Sequence, residues 1–231
     1  MAKRKLQKFA EIGQMPNVIQ NFNWENPVLI NHQQTEVKLK GKWASAFFNN
    51  QQPIVLELAC GYGEYAVALG KLQPQLNFIG IDIKGNRIHH GAKLALQQGL
   101  GNVGFLRTGI SLLPHFFAQN EISEIWIPFP DPYLPNSQAR KRLTSPQFLQ
   151  LYRQFLQPQG RLHLKTDSEP LYQYTLETLE QTSGAAIIAH TNNLYQHVLY
   201  QQFPALQIPT RYESLRPSGA DTIKYICFTI N

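Results

Sequence analysis

The residues best placed to do chemistry in this sequence are acids at the ends of short apolar runs. One such run ends in Glu57-Leu58-Ala59-Cys60-Gly61-Tyr62-Gly63-Glu64. Glycines here let the backbone turn sharply and approach a ligand where a side chain would clash. Gly61-x-Gly63-x-x-Ala66 satisfies the dinucleotide fingerprint, and Asp82, nineteen residues after Gly63, has the position of an acid that holds a ribose hydroxyl pair. Charge separates the possible ligands. A dinucleotide would set its pyrophosphate at the start of the following helix, yet Glu64 stands there with Glu57 just upstream. A cationic ligand without phosphate suits that acidic approach. Glu57 carries the most weight, because a glutamate inside an apolar strand is costly to bury unless it finds a partner or a cation. Glu64 has an alternative duty as a first-turn partner of the helix dipole, and Asp82 as a cap for the next helix.

Another acid lies in Phe129-Pro130-Asp131-Pro132-Tyr133. The two prolines stiffen the backbone around Asp131 and remove amide donors that would compete for its carboxylate, leaving a rigid acid beside a possible stacking ring at Tyr133. Arg140-Lys141-Arg142 follow as the densest internal basic cluster. They suit phosphate if they border the same crevice and a solvated face otherwise. Lys165-Thr166-Asp167-Ser168 closes a further apolar run, making Asp167 either a second crevice acid or a helix N-cap.

The elements that must position these residues alternate in the manner of a parallel sheet with covering helices. Strands are expected at Ile54–Ala59, Asn77–Ile83, Val103–Arg107, Ile122–Phe129 and Gly160–Lys165, with two more in Ala185–His190 and Asp221–Ile230. Helical character falls at Gly63–Leu72, Lys84–Gln98 and Ser111–Ala118, after the Ser145-Pro146 start signal, and after Ser168 with Pro170 in the first turn. In such an open sheet the ligand crevice lies beyond the carboxyl ends of the strands, where the acids are expected. About thirty mostly polar residues between the last two strands predict a long functional loop. Residues 51–231 therefore read as one α/β, Rossmann-like domain with a mostly parallel seven-stranded sheet and helices on both faces. Residues 1–50 lack clear periodicity and read as a basic N-terminal arm or extension.

Composition narrows the function classes. The 231 residues include 21 Lys and Arg against 15 Asp and Glu, for a net charge of +6. Of that excess, +4 lies before residue 43, which favours a polyanionic partner. The two cysteines, Cys60 and Cys227, sit in apolar runs and argue against a secreted disulfide scaffold. No stretch approaches the ~20 apolar residues of a membrane span, no signal core follows the basic start, and the histidines lack ligand spacing. The expectation is a cytoplasmic protein, with no metal and no membrane partner, acting as a monomer or homodimer.

The assembled pattern resembles the bacterial tRNA guanine-N7 methyltransferases over Lys40 to about Glu213. The resemblance rests on Lys40-Gly41-Lys42-Trp43, Leu56-Glu57 with the glycine turn, Asn77–Asp82, Phe129-Pro130-Asp131-Pro132, Lys141-Arg142, Lys165-Thr166-Asp167 and Thr210-Arg211-Tyr212-Glu213. It implies a class I methyltransferase fold with S-adenosylmethionine as donor, a cation that carries no phosphate. It further implies tRNA as partner, with Glu57, Gly61, Gly63, Asp82 and Gly109 around the donor and Asp131 at the reaction centre. Asp167, Thr210, Tyr212 and Glu213 would lie on the RNA side with Tyr133, Arg140, Lys141 and Arg142. Five features depart from the family, one of them the absence of the common His before the basic cluster. Ala59 replaces the first glycine of the turn, and Gly109 stands where an aspartate is usual, so the adenine contact there must come from backbone or elsewhere. Tyr133 replaces a Trp, and Pro135 a substrate-binding lysine. Other readings remain open at this point: another methyl acceptor, a dehydrogenase, or a non-catalytic tRNA-binding protein of the same fold.

Overall fold

The computed structural model describes residues 2–215 and 222–231. Its centre is strand β4 of the ten-stranded sheet. In chain order the strands are β1 (Val18–Gln20), β2 (Leu29–Ile30), β3 (Glu36–Val37), β4 (Ile54–Leu58), β5 (Asn77–Asp82), β6 (Val103–Arg107), β7 (Ile122–Pro128), β8 (Leu156–Thr166), β9 (Ala185–Thr191) and β10 (Lys224–Ile230). β4, β5 and β10 are buried along their whole length, so they read as mostly apolar runs. The order across the sheet is β3-β2-β1-β6-β5-β4-β7-β8-β10-β9. β1 and β4 to β8 run parallel, while β10 lies antiparallel between β8 and β9. From β4 the chain builds outward through β5 and β6, then returns to build the other way through β7 and β8. The order therefore reverses between β4 and β7, where an open parallel sheet leaves a crevice at its carboxyl edge.

The helices are α1 (Ala2–Ile12), α2 (Glu64–Leu72), α3 (Gly85–Gln97), α4 (Leu113–Phe116), α5 (Pro146–Tyr152), α6 (Glu169–Glu180), α7 (Val198–Gln202) and α8 (Arg211–Leu215). α2 and α3 bury Tyr65, Val67, Ile88 and Ala92 in one core. α4 to α6 bury Phe116, Phe148, Tyr152 and Leu171 in the core on the other face. A local signal accounts for the start of α6. Ser168 Oγ accepts from Leu171 N at 3.3 Å to cap α6, and Pro170 occupies its first turn.

The sheet has ten strands where seven were expected, and the additional three come from residues 18–37. β1 pairs in parallel with β6, and β2 and β3 continue the edge antiparallel. Strands of two or three residues are too short for alternation to show in the sequence. The expected arm or extension therefore runs along the sheet edge, with Ile12, Val18, Ile19, Leu29, Leu39 and Trp43 all buried. Trp43 Nε1 donates to Phe116 O at 2.8 Å, and the Glu121 carboxylate accepts from the amides of Gly41, Trp43 and Ala118. α1 is tied to α3 by a Glu11–His89 pair. The helix expected at Ser111–Ala118 is instead a 3-10 turn, Ile110–Leu112, followed by the four-residue α4. Pro114 explains the break, because proline starts a helix well and continues one badly. Asp221, expected to open the last strand, lies outside the described residues.

Candidate active site

Strand β4 turns into α2 through three left-handed residues, Ala59 (φ 55°), Gly61 (φ 55°) and Gly63 (φ 70°). The two glycines do different work. A Cβ on Gly63 would lie 2.8 Å from Cζ of Phe105 and nearer still to Cε1, so this glycine allows the turn to pack on β6. A Cβ on Gly61 would meet nothing closer than 4.0 Å, which leaves open space beside the backbone. Gly61 N donates to Asp82 Oδ2 at 2.9 Å, and Lys84 N donates to Oδ1 at 2.7 Å. Asp82 thus ties the turn to the end of β5, and Thr108 N, donating to Asp82 O at 3.2 Å, ties in the end of β6.

Glu57 is 4% exposed, and its Oε2 accepts from Ala66 N at 2.8 Å. Burial pushes its carboxyl up to about 8; the Ala66 amide opposes the rise, and the charges of Asp82 and Glu64 add to it. Ala66 is the third residue of α2, so a protein carboxyl already occupies a helix-end amide that a pyrophosphate would need. The turn fits a cationic nucleoside better than a dinucleotide.

Across the switch point, β7 runs into the Asp131 loop, whose Phe129 (φ 50°) and Tyr133 (φ 44°) are left-handed without being glycine. Such residues cost ~1–2 kcal/mol each and need outside support. Arg142 supplies it. This arginine is buried, donates from Nε to Pro132 O and Tyr133 O, both at 3.2 Å, and from Nη2 to Tyr133 O at 3.0 Å and Leu134 O at 3.1 Å. Its guanidinium also lies 4.2 Å from the Tyr174 ring centre. The basic cluster therefore divides. Arg142 clamps the loop, whereas Arg140 and Lys141 are exposed, with Lys141 Nζ 5.8 Å from the Tyr133 ring.

Asp131 is exposed on this loop, and Asp167 follows β8 half-buried. Tyr212 of α8 joins them. Its ring lies 5.7 Å from that of Phe129, and burial first, then the charges of Asp167 and Asp131, raise its hydroxyl pKa. Among the described residues, neither the Asp131 nor the Asp167 carboxylate accepts a hydrogen bond. Glu213 differs. Its Oε2 accepts from Lys165 Nζ at 2.9 Å and from Thr210 N at 3.2 Å, and its Oε1 from the Tyr195 hydroxyl at 2.6 Å. Glu213 N donates in turn to Thr210 Oγ1 at 3.0 Å, so Thr210-x-x-Glu213 is a reciprocal capping box. Lys165 is buried and also donates to the carbonyls of Leu206 and Ile208, both at 3.1 Å. Burial lowers its pKa, with Glu213 acting against the fall. Sequence reasoning left Lys165 out of the site, although a lysine at the end of an otherwise buried strand signals a partner. Thr210–Glu213 enters the sequence reading only through the resemblance, although Thr-x-x-Glu is itself a helix-start signature. Gly109 lies beneath the ring of Trp24, a residue the sequence did not single out.

The described residues contain no group of three or more His, Cys, Asp or Glu able to hold a metal, and no helix long and apolar enough to cross a membrane. The strand order, with an acid-rimmed crevice at its switch point, defines a Rossmann-like class I methyltransferase. Comparison with solved structures agrees on the fold. The 16S rRNA methyltransferase KamB superposes with a TM-score of 0.57 at 16% identity, over 78% of this chain and 88% of that one. An S-adenosylmethionine-dependent methyltransferase from Aquifex aeolicus gives 0.53 at 16% identity, over 80% of this chain and 86% of its own. Residues 51–223 match the family model described as "Putative methyltransferase". The tRNA (guanine-N(7)-)-methyltransferase of Christiangramia forsetii is 44% identical over 229 residues, 99% of each chain. That of Porphyromonas gingivalis is 48% identical over 200 residues, 87% of this chain and 80% of its own. The chain belongs to the tRNA (guanine-N(7)-)-methyltransferase family.

Proposed function

We propose that this protein acts in the cytoplasm to transfer the methyl group of S-adenosylmethionine to N7 of a variable-loop guanine in tRNA. The observation that carries the reading is that the Asp131 and Asp167 carboxylates, whose charges both reach the Tyr212 hydroxyl, accept no hydrogen bond among the described residues. When bound, S-adenosylmethionine supplies an electrophilic methyl on a cationic sulfur. Guanine N7 presents an in-plane lone pair and no proton, so its methylation needs no general base. The chain's contribution is in-line positioning and negative charge where the purine becomes positive. Asp82, already fixed by two amides, holds the ribose end, and Gly61 lets the donor approach the backbone. Glu57, whose Oε2 accepts from Ala66 N, keeps α2 docked on the turn.

Asp131 stands at the reaction centre on the loop that Arg142 clamps. Asp167 accepts hydrogen bonds from guanine N1 and N2, a pair of donors that adenine does not present. Glu213, engaged by Lys165 and the capping box, holds Thr210 and Tyr212 in place in preference to touching the base. The target must leave its stack to reach this depth, and Tyr212 or Tyr133 offers a face for it. Arg140 and Lys141 supply charge for the RNA backbone.

Incubation with unmodified tRNA and radiolabelled donor, followed by nucleoside analysis, tests the proposal. The label should appear in 7-methylguanosine. Label in another nucleoside would support a different acceptor, and a stoichiometric tRNA complex without transfer would support a binding protein. Asp131→Asn should lower turnover about 100-fold or more with the fold intact; wild-type rates in that variant would remove Asp131 from the reaction centre.

A further inference from the structure

Gly109 follows β6 at the crevice rim, and its backbone does not require glycine. With φ −79° and ψ 139° it is in extended conformation, open to any residue. What excludes a side chain is space, because a Cβ there would lie 2.7 Å from Cζ3 of Trp24 and closer still to Cη2. Position 109 is therefore glycine so that an indole can lie on it.

The segment that brings the indole there is built to do so. Asn21 is buried; its amide donates to Arg107 O at 2.9 Å and its Nδ2 to Thr108 Oγ1 at 3.3 Å. Its Oδ1 accepts from Asn23 N at 3.1 Å and Val28 N at 3.3 Å, while Asn23 Oδ1 accepts from the amides of Glu25 and Asn26 at 3.0 and 2.9 Å. Two asparagines thus wind residues 21–28 into a closed turn and fasten it to the end of β6. Yet the side chain it presents stays 52% exposed, whereas the other tryptophans, Trp43 and Trp126, are 0% and 4% exposed. Ile83, directly after Asp82, is also exposed at this rim. The link from Thr108 N to Asp82 O brings the two strand ends together.

A flat apolar ring held rigidly beside a ribose-binding acid, with an exposed aliphatic side chain on the neighbouring strand end, suits a purine face. We infer that Trp24 forms a wall of the purine subsite of the methyl donor, stacking on the adenine ring and replacing the missing side chain at position 109. The inference rests on the proposed use of S-adenosylmethionine.

Intrinsic fluorescence tests it directly, because Trp24 is the exposed tryptophan. In the full-length wild type, S-adenosylhomocysteine should quench tryptophan emission and shield it from iodide. By calorimetry, Trp24→Ala should bind S-adenosylhomocysteine about tenfold more weakly, and Trp24→Phe should stay within about threefold of wild type, since it keeps an aromatic face. Gly109→Ala, whose methyl would displace the ring, should reproduce the loss seen in Trp24→Ala. Circular dichroism of each variant checks the fold, and the iodide measurement needs no variant. Wild-type binding with unchanged iodide access would overturn the inference while leaving the methyltransferase reading intact. So would equal affinity in a folded Trp24→Ala, or shielding by tRNA alone and not by S-adenosylhomocysteine. A wild type that binds no S-adenosylhomocysteine would instead remove the reading beneath it.

Discussion

Replacing Glu57 by glutamine tests whether burial holds the carboxyl at the foot of the glycine turn in its neutral form. That carboxyl titrates at about 8 in the folded protein against an ordinary 4.5, raised by burial over the opposition of the Ala66 amide. A group whose folded pKa lies above its unfolded one binds its proton more tightly when folded. Its contribution is complete below pH 4.5 and is lost as pH rises through about 8. At about 1.4 kcal/mol per pH unit, the loss reaches about 3 kcal/mol at pH 7 and about 4 kcal/mol at pH 8. Glutamine keeps an acceptor for the Ala66 amide and does not ionise. Urea unfolding followed by circular dichroism should therefore separate the two proteins by under about 1 kcal/mol at pH 5, with E57Q the more stable by about 3 kcal/mol at pH 7. Other groups titrate in this range, notably His163. Burial alone would lower its pKa, but the neighbouring Cys227 and Glu124 outweigh it and hold the imidazole at about 9. His163 is common to both proteins and cancels in the difference. A stability gap that stays flat from pH 5 to 8 would show that Glu57 is ionised throughout, and the account of the turn would be wrong.

Three further outcomes follow from the same geometry. Ala59 occupies left-handed backbone at φ 55°, so Ala59→Gly should raise stability by about 0.5–1 kcal/mol, the relieved strain less glycine's added chain entropy, as measured by urea midpoint. Arg142→Lys keeps the charge but loses the planar fork that spans three carbonyls. Its methyl transfer should fall at least about tenfold as Asp131 loses its support, with donor affinity unchanged by calorimetry; undiminished turnover would deny the clamp. Glu213→Gln leaves the Lys165 ammonium buried without its counter-charge, at a cost of about 3 kcal/mol, and the thermal midpoint should fall by about 6–12 °C.

The strands that carry the crevice were legible because burial on both faces leaves short, mostly apolar runs, as in Ile54–Leu58 and Asn77–Asp82. The start of α6 was legible because serine and proline act within one turn of it. The edge strands β1 to β3 were not, since pairing to β6 is a long-range event and two or three residues hold no period. Acids and bases posed a harder problem, because sequence shows a charge and not what meets it. Glu57 finds an amide in the next helix, Arg142 finds the carbonyls of its own loop, and Glu213 finds a lysine from a distant strand. Each is used up in holding something else. Asp131 and Asp167, of the same chemical type, meet no hydrogen-bond donor among the described residues and so keep their lone pairs for a ligand. Trp24 and Gly109 follow the same rule in apolar form. A glycine in ordinary extended backbone makes sense only once the indole from 85 residues earlier in the chain lies on it. Availability at this site is a property of partners brought by the fold, which is why the expected residues divide into those that support the crevice and those that face it.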